Sequence, residues 1–516
     1  MLEAVHSSVA RAEWQSVVFS ERPRRASLLE LAAADLPTTP LRIHVHRNQP
    51  FEFVASCAEA FLRYAGWNPI FTYGPYDDSL SFSQRVDADV ELVWLDLGRY
   101  QEDRKELSAW LEERIRYLRG VSDAPIVVAS GDPALIPPLP GVRASTVSSM
   151  QIGAAECVEA AREFAFLWLP PVLRARFKTI VVDLDHTLYR GVLGEDGPIG
   201  IELTPEHFKL QKKLAALHES GVLLAVVSKN DPADVEALFE QRSDFPLTSD
   251  MISAWRTGWG AKSRGIRDIA ASLRIGLDSI LYLDDNAGEL AEVASAAPEV
   301  SLLHAADPQE TTRALKLYPG LNGYEAGAAD RLRAFDLAAA GQRTGSSHEY
   351  MQSLRIELGF SLDPAHECAR LHDLSVRTNQ FNTGFLRLTE AEVARRITDP
   401  QYQTVAVSLR DRLSDSGIIG AIFARCAGDT IFVEEICISC RALGRGIEDV
   451  LITEALAGIA RRTGGAKDLI FRCIEGPRNA PARDWMERYT AGQRRIAAST
   501  LWNQPAPELR SAACWA

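Results

Sequence analysis

The sequence lacks an apolar run long enough to cross a lipid bilayer. The longer apolar stretches, such as residues 222–227, are far shorter than the roughly 20 residues that a spanning helix needs. Residues 1–20 contain no continuous apolar segment of the kind found in secretion signals. We therefore expect a cytoplasmic protein that has no membrane partner.

Cysteine and positive charge are also scarce. The eight cysteines are scattered over 516 residues without the density of a disulfide scaffold, so reduced thiols are expected. Lys and Arg number 56 against 69 Asp and Glu, which gives a net charge of -13. Such a chain repels polyanions, so we expect no nucleic-acid partner. No internal repeat is visible, which argues against repeat architectures.

The composition that remains is that of an ordinary globular protein, with 46% hydrophobic and 24% charged residues. At roughly 150 residues per domain, the length predicts about three domains. The predicted segments are an N-terminal extension (1–40), an α/β domain (41–172), a second α/β domain (173–322), a helical linker (323–348), an α+β domain (349–495) and a loose tail (496–516).

Alternating apolar strands and helical patterns predict the fold class, α/β with doubly wound parallel sheets, in the first two domains. The third domain has several strands close together in sequence, which predicts an α+β fold. The predicted strands are 41–46, 90–95 and 124–129 in the first domain, 179–182, 222–227 and 280–283 in the second, and 404–409, 418–424 and 431–439 in the third.

Two carboxylates follow the first strand of the second domain. Asp183 and Asp185 come directly after residues 179–182, at the end of a strand where open α/β sheets bind ligands. The first carboxylate can attack a phosphoryl group, and the second can protonate the leaving oxygen and then activate water. Taken alone, the pair could equally cap a turn.

Later segments supply the other groups that this chemistry needs. Ser228 follows the next strand, Lys262 lies 34 residues further on, and Asp284 ends another apolar strand. Because phosphate is repelled by carboxylates, the chemistry requires Mg²⁺, held by Asp183, Asp284 and the main-chain carbonyl of Asp185. Lys262 would supply a second positive charge.

The order of these four motifs resembles the haloacid dehalogenase (HAD) superfamily. That resemblance makes simple turn or helix capping the weaker interpretation. It implies Asp183 as nucleophile, Asp185 as general acid/base, Thr187, Ser228, Lys229 and Lys262 as phosphate-binding residues, and Asp183, Asp185 and Asp284 as metal ligands supported by Asp285.

Two longer stretches around these motifs resemble one subgroup of the superfamily more specifically. Residues 183–197 (DLDHTLYRGVLGEDG) and 253–262 (SAWRTGWGAK) resemble FkbH-like proteins. This implies transfer of a glyceryl unit from 1,3-bisphosphoglycerate to an acyl carrier protein, with dephosphorylation, for polyketide-type natural products. The chain departs from the family at His186, Tyr189 and Arg190, where Asn and a Trp-Gly pair are usual. We interpret His186 as a turn residue rather than a ligand.

A glycine-bearing turn in the third domain follows a strand and precedes a helical run, so its N–H groups can face an anion. The pattern Arg441-x-x-Gly444-x-Gly446 resembles the GNAT acyltransferase fold, and the stretch from Arg377 onward again resembles FkbH-like proteins. A turn that binds nothing is the alternative. The resemblance implies substrate or pantetheine binding by Arg377, Asn379, Asn382, Arg441, Gly444, Gly446 and Asn479.

A thiolate could capture the glyceryl carbon and pass it as a thioester to pantetheine. Cys440 is the candidate, because a prospective helix N-terminus and Arg441 would both favour its thiolate. A buried structural cysteine is the alternative. Cys437 should face the other side of the strand, and no second CxxC exists, so we expect no zinc site.

The first domain is similar to the SGNH-like domains that FkbH-like proteins carry. However, no Gly-Asp-Ser block follows its first strand; at that place the sequence reads HVHRN (residues 44–48). We interpret it as a scaffold or a docking domain for the carrier protein. Three alternatives to glyceryl transfer remain: a HAD phosphatase for a small phosphate ester with a non-catalytic GNAT-like domain, a non-catalytic assembly module, and acetyl transfer from acetyl-CoA.

Overall fold

The computed structural model describes residues 11–33, 36–83, 86–100, 103–147, 153–322, 356–410, 415–439, 442–443, 447–476, 479–502 and 512–515. The chain forms two compact units, of which the first holds two parallel sheets and the second a mixed sheet. The predicted helical linker lies outside the described residues.

The first sheet has five parallel strands in the order β2-β1-β3-β4-β5, the order of flavodoxin-like doubly wound sheets. Helix α5 continues through a π-helical turn, Phe164–Trp168, into α6. The strands are β1 (Thr39–Arg47), β2 (Trp67–Tyr76), β3 (Val90–Leu95), β4 (Ile126–Ser130) and β5 (Val142–Thr146), and the helices are α1 (11–18), α2 (Arg25–Ala32), α3 (Glu52–Tyr64), α4 (Arg104–Val121), α5 (Ala154–Glu163) and α6 (Pro170–Leu173).

The second sheet is also parallel, in the order β10-β9-β6-β7-β8. Its first strand, β6, lies at the centre, so the carboxyl ends of β6, β7 and β9 meet at the point where the strand order reverses. The strands are β6 (Thr179–Val182), β7 (Leu223–Ser228), β8 (Ile252–Thr257), β9 (Ile280–Asp284) and β10 (Ser301–His304), and the helices are α7 (Leu193–Gly200), α8 (Pro205–Glu219), α9 (Pro232–Gln241), α10 (Lys262–Ser272), α11 (Ala287–Ala296) and α12 (Pro308–Leu317).

One continuous hydrophobic core joins the two sheets of the first unit. Aromatic side chains carry it from one sheet to the other: Phe19 stacks on Tyr318 with ring centroids 6.0 Å apart and also contacts Phe166. Phe19 and Trp14 are buried, although the sequence suggested only an extension before residue 41. The N-terminal helical segment is therefore part of the core.

The second unit has a largely antiparallel sheet in the order β17-β16-β15-β14-β13-β11-β18, with β12 paired to β15. The pairs β15–β16 and β11–β18 are parallel. The α+β prediction is confirmed. The strands are β11 (Glu357–Leu362), β12 (Phe381–Asn382), β13 (Tyr402–Arg410), β14 (Asp415–Ala427), β15 (Thr430–Ile438), β16 (Asp468–Phe471), β17 (Arg495–Ala497) and β18 (Ala512–Trp515), and the helices are α13 (Cys368–Arg377), α14 (Glu390–Thr398), α15 (Glu448–Arg462), α16 (Ala480–Thr490) and α17 (Ala498–Trp502).

The prediction of a loose C-terminal tail is wrong for Ala512–Trp515, which pairs with β11 as a parallel strand. Trp515 explains the difference, because its ring stacks on Phe360 with centroids 5.1 Å apart. The same ring lies against Gly458 of α15. An aromatic side chain near the chain end therefore anchors a segment whose composition suggested no structure.

No helix in the described part of the chain combines the length and the apolar character needed to cross a membrane.

Gly458 offers a test of this packing. A Cβ at this position would lie 1.8 Å from Trp515 Cη2, which is too close for both groups to remain in place. On an open helix Gly458→Ala would stabilise by about 1 kcal/mol. Here we expect it to destabilise the second unit by about 1–3 kcal/mol, because the ring must move.

In a Trp515→Ala background the same substitution should become stabilising, since the steric conflict is gone. Unfolding curves of the four variants measure the sign in each background. Stabilisation by Gly458→Ala in the otherwise unchanged protein would contradict the packing described here.

Candidate active site

The carboxyl edge of the second sheet brings together four of the predicted site residues. Asp183 directly follows β6, Ser228 ends β7, and Asp284 ends β9. Lys262 is the first residue of α10. These residues come from separate segments of the sequence, and the parallel strand order makes them neighbours.

Asp183, Lys262 and Asp284 form a buried ion cluster. Lys262 Nζ lies 2.9 Å from Asp183 Oδ1 and 2.6 Å from Asp284 Oδ2. The three residues are 5%, 5% and 0% exposed. With both carboxylates ionised, one ammonium faces two negative charges away from water, which is an expensive arrangement. The site therefore favours a further proton or a further cation.

A glycine allows Lys262 to reach this position. Gly265 lies on α10 one turn after Lys262, and a Cβ there would be 2.5 Å from Val227 Cγ2 on β7. Only a residue without a side chain allows the helix to lie this close to the strand without displacing it. The close approach carries the Lys262 ammonium to the two carboxylates.

The pKa of Asp183 reflects this cluster, in which one ammonium faces two carboxylates. Burial raises the pKa of Asp183 to about 7; Lys262 acts to lower it, and Asp284 raises it. Asp284 is held in place by the Tyr282 hydroxyl, which donates to Oδ2, and by Asn286 N, which donates to Oδ1 at 2.8 Å. Without another cation, Asp183 is therefore harder to ionise than an exposed aspartate.

Three carboxylates could bind a divalent cation. Asp183, Asp284 and Asp285 each place a carboxylate oxygen within 4.8 Å of the others. Asp183 Oδ1 is buried and receives no hydrogen bond of acceptable geometry in the described structure, although Lys262 is close. Carboxylate oxygens are the ligands that Mg²⁺ prefers, so this set fits the ion.

The three carboxylates of this cluster are not all from the predicted ligand residues, which were Asp183, Asp185 and Asp284. Asp285, which we expected to support the ligands, belongs to the cluster, whereas the Asp185 carboxylate does not. The Asp185 carboxylate is instead engaged by three hydrogen-bond donors. The expected ligand at Asp185 was its main-chain carbonyl, and that ligand stays a prediction.

Neighbouring side chains hold Asp285 in position. Asp285 N donates to Thr187 Oγ1 at 3.2 Å, and the same hydroxyl donates to Asp285 Oδ1 at 3.4 Å. His304 Nε2 donates to the Asp285 carbonyl at 2.8 Å. Thr187 thus contacts the acidic pair, and its predicted phosphate contact stays a prediction.

The helix-capping interpretation of the acidic pair is not supported. Asn286 caps α11, because its side-chain oxygen accepts a hydrogen bond from Gly288 N at 2.8 Å. Asp284 is turned toward Lys262 instead. The two aspartates are therefore available to the ion cluster.

Asn230 and Tyr189 are site residues that our sequence reasoning missed. Asn230 Nδ2 donates to Asp185 Oδ2 at 2.9 Å and to Ser228 Oγ at 3.0 Å, which links the predicted acid/base to the predicted phosphate-binding hydroxyl. Tyr189 donates to Asp185 Oδ1 at 2.7 Å. The signal for Asn230 was its position two residues after Ser228, where a strand has ended.

Lys229 pairs with Glu289 of α11, with Nζ 2.5 Å from Oε1. Its side chain is 39% exposed, unlike that of Lys262. The predicted phosphate contact of Lys229 would require this pair to separate, and it stays a prediction.

In the second unit, Asn382 and Asn479 are fully buried and hydrogen-bonded to the backbone. Asn382 Oδ1 accepts from Phe385 N at 2.7 Å, and Asn479 Nδ2 donates to the Asn382 carbonyl at 2.9 Å. Such contacts stabilise a turn rather than present amides to a ligand. The predicted substrate role of these two residues gains no support.

Arg377 and Asn379 also have partners inside the unit. Arg377 lies 3.0 Å from Asp373, and Asn379 Oδ1 accepts from Arg387 at 2.5 Å. The remaining predicted groups in this region, Cys440, Arg441, Gly444 and Gly446, lie outside the described residues.

Comparisons with known proteins add little to this geometry. No protein-family model matches the chain, and no curated protein does. One similar solved structure is the N-terminal part of the protein BF1531 from Bacteroides fragilis, containing a phosphatase domain complexed with Mg. It is 15% identical, covers 58% of this chain and 98% of its own, and has a TM-score of 0.44.

A second similar structure is a GCN5-related glucosamine N-acetyltransferase region of a fungal multi-domain GH3 beta-N-acetylglucosaminidase. It is 10% identical, covers 95% of this chain and 67% of its own, and has a TM-score of 0.15. Neither likeness is close enough to carry an argument about activity.

The acidic cluster predicts specific Mg²⁺ binding. We expect Mg²⁺ to raise the unfolding temperature of the first unit, because a ligand that binds only the folded state stabilises it by mass action. Asp284→Asn should weaken the Mg²⁺ affinity by about 100-fold or more, since even residues that support ligands are worth about 10–100-fold. Isothermal titration calorimetry measures the Mg²⁺ affinity of the unsubstituted protein and of Asp284→Asn.

The matched control is Asp250→Asn. Asp250 is exposed and precedes β8, at the opposite end of the strand from the carboxyl edge. Its substitution should leave Mg²⁺ affinity unchanged. Equal affinities for Asp284→Asn and Asp250→Asn would show that the buried acids are not the metal site.

Mg²⁺ binding should also release a proton from Asp183. The metal-free carboxyl group has its pKa raised to about 7 and must ionise to ligate. We therefore expect Mg²⁺ affinity to rise by up to about tenfold per pH unit below pH 7 and to level off above it. Calorimetry in two buffers of different ionisation enthalpy counts the protons released; a pH-independent affinity from pH 6 to 8 would contradict this.

Proposed function

We propose that this protein is a Mg²⁺-dependent phosphatase that uses Asp183 as a nucleophile on a small phosphorylated substrate. The observation that carries the proposal is the buried cluster of Asp183, Lys262 and Asp284, with Lys262 Nζ 2.9 Å and 2.6 Å from the two carboxylates. A cluster used only for stability could be replaced by apolar residues at little cost. A site for dianionic phosphate, by contrast, needs both a metal and an ammonium.

The residues suggest a two-step reaction. In the first step an Asp183 oxygen attacks phosphorus, and the leaving oxygen takes a proton from Asp185. In the second step Asp185 takes a proton from water, whose oxygen attacks the aspartyl phosphate and releases Asp183. Bound Mg²⁺ would neutralise phosphoryl charge and orient the phosphate. Lys262 and Ser228, which lie at the same strand edge, would hold phosphoryl oxygens.

The finer proposal is that the phosphatase step accompanies glyceryl transfer. The resemblance of residues 183–197 and 253–262 to FkbH-like proteins supports 1,3-bisphosphoglycerate as the substrate and an acyl carrier protein as the acceptor, in polyketide-type biosynthesis. In that reaction the thiolate would attack the acyl carbon of the acyl phosphate, the bond between that carbon and the phosphate oxygen would break, and inorganic phosphate would leave as the thioester forms.

Burial argues against three other cysteines of the second unit as the accepting thiol, which supports Cys440. Burial raises the pKa of Cys437 well above its ordinary value, and Glu435 raises it further, so this thiol is a poor nucleophile. Burial also raises the pKa of Cys426 and Cys473. Burial therefore disfavours the thiolate form of all three, although Arg494 and Arg483 offset part of this effect at Cys473.

One observation favours the simpler alternative, a phosphatase for a small phosphate ester with a non-catalytic second unit. Asn382 and Asn479, two polar residues proposed to hold substrate or pantetheine, are fully buried and hydrogen-bonded to the backbone. The two candidates share the chemistry of Asp183 and differ in whether a thiol takes part.

Phosphate release from an aryl phosphate tests the part that both candidates share. We expect turnover that requires Mg²⁺ and that falls by about 10³-fold or more in Asp183→Asn, because loss of a nucleophile removes the whole covalent route. Lys262→Ala should reduce turnover by about 10²-fold, through loss of transition-state charge stabilisation. Mg²⁺-independent turnover, or full activity in Asp183→Asn, would refute the proposal.

Intact-mass spectrometry separates the two candidates. The protein is incubated with Mg²⁺ and 1,3-bisphosphoglycerate generated in situ, beside Cys440→Ala and a matched Cys473→Ala control. Glyceryl transfer predicts a covalent glyceryl adduct that is lost in Cys440→Ala, kept in Cys473→Ala, and still phosphorylated in Asp183→Asn. Phosphate release without any adduct would support the simple phosphatase.

A further inference from the structure

The carboxylate of Asp185 is held by three hydrogen-bond donors from three parts of the chain. Tyr189 OH and Leu193 N donate to Oδ1 at 2.7 Å and 3.0 Å, and Asn230 Nδ2 donates to Oδ2 at 2.9 Å. Asp185 itself is only partly buried. Its orientation is therefore set by these donors rather than by close packing.

The two oxygens of the Asp185 carboxylate differ in the number of hydrogen bonds that they accept. A carboxylate accepts about four hydrogen bonds, two at each oxygen. Among the described residues, Oδ1 accepts two hydrogen bonds, from Tyr189 and Leu193, whereas Oδ2 accepts one, from Asn230. The position left open is on Oδ2, which Asn230 links to Ser228 Oγ. A proton or a substrate oxygen can approach Asp185 at Oδ2 without displacing a donor.

The turn after β6 explains how Tyr189 reaches Asp185. His186 has a positive φ of 55°, and Leu188 N donates to the Leu184 carbonyl at 2.9 Å, so the chain folds back at once. The buried Gln211 then donates to the Leu188 carbonyl at 2.9 Å. These contacts fix the backbone on the N-terminal side of Tyr189.

The Tyr189 hydroxyl is a reliable donor. Its ring is fully buried and stacks on Phe245, with centroids 6.1 Å apart. Burial raises the pKa of Tyr189, and the nearby Asp185 raises it further, so the hydroxyl keeps its proton. The ring packing does not depend on the hydroxyl, which a Phe substitution would remove alone.

We propose that Tyr189 and Asn230 are positioning residues that clamp Asp185 so that Oδ2 is the atom that exchanges the proton. This deepens the proposed phosphatase function and rests on it. In the first step the ester P–O bond breaks as the Asp183–phosphorus bond forms, and the proton on Oδ2 goes to the leaving oxygen. In the second step Oδ2 takes a proton from the attacking water, and the Asp183–phosphorus bond breaks.

The test compares two leaving groups in the first turnover. An alkyl phosphate, glycerol 3-phosphate, releases a poor leaving group that needs a proton, whereas p-nitrophenyl phosphate releases one that does not. Tyr189→Phe and Asn230→Ala should each slow alcohol release by about 10- to 100-fold. With saturating substrate, release of p-nitrophenol should change by less than about threefold in both variants. KM for both substrates should stay within about threefold in Tyr189→Phe, whereas in Asn230→Ala it can also rise, because Asn230 donates to Ser228 Oγ.

The matched control is Tyr318→Phe, which also removes a buried tyrosine hydroxyl, one that donates to the Leu302 carbonyl at 3.3 Å. It should slow neither reaction. Using two variants on different elements guards against misfolding of one of them, and the unfolding temperature of each is measured beside its kinetics.

Selective loss of alcohol release in both variants supports the clamp. Equal loss for both leaving groups, or no loss, would overturn it while leaving the phosphatase proposal intact. If the unsubstituted protein releases neither leaving group in the presence of Mg²⁺, the phosphatase proposal fails, and the clamp fails with it.

Discussion

The site depends on one constraint: two buried carboxylates, Asp183 and Asp284, share a single ammonium from Lys262. Removing charges from water costs several kcal/mol per ion, and one cation compensates two anions only in part. The raised pKa of Asp183 is the direct result of burial, with Asp284 opposing ionisation. A site with this imbalance is suited to gain a divalent cation, and with it a negatively charged substrate.

The fold supplies the geometry that this constraint requires. Parallel order places the ends of β6 and β9 side by side, so that Asp183 and Asp284 meet although 100 residues lie between them in the sequence. Gly265 lets α10 bring Lys262 between them. A second layer of contacts orients what surrounds the cluster: Thr187 and His304 hold Asp285. The proposed phosphatase chemistry thus rests on contacts from several elements of one sheet.

The sequence predicted the central strands well and the edge strands poorly. Residues 90–95 and 179–182 were found because strands buried on both faces read as continuous apolar runs. Within the two parallel sheets the missed strands are β2, β5, β8 and β10, which are the four edges, and their mixed burial leaves no such run. In the site, ordered motifs identified Asp183 and its partners. Tyr189 reaches Asp185 through a turn geometry that no local pattern encodes, whereas the position of Asn230 two residues after Ser228 was a signal that could have identified it.

The most direct test of the central claim is a crystal structure of the protein with Mg²⁺ and beryllium fluoride, a mimic of phosphate on aspartate. We expect beryllium bonded to an Asp183 oxygen, Mg²⁺ in contact with Asp183 and Asp284, and Lys262 Nζ moved from the carboxylates to a fluorine atom of the adduct. A structure in which Lys262 keeps both carboxylates and neither ligand binds would show that the cluster is a structural ion pair, contradicting the account.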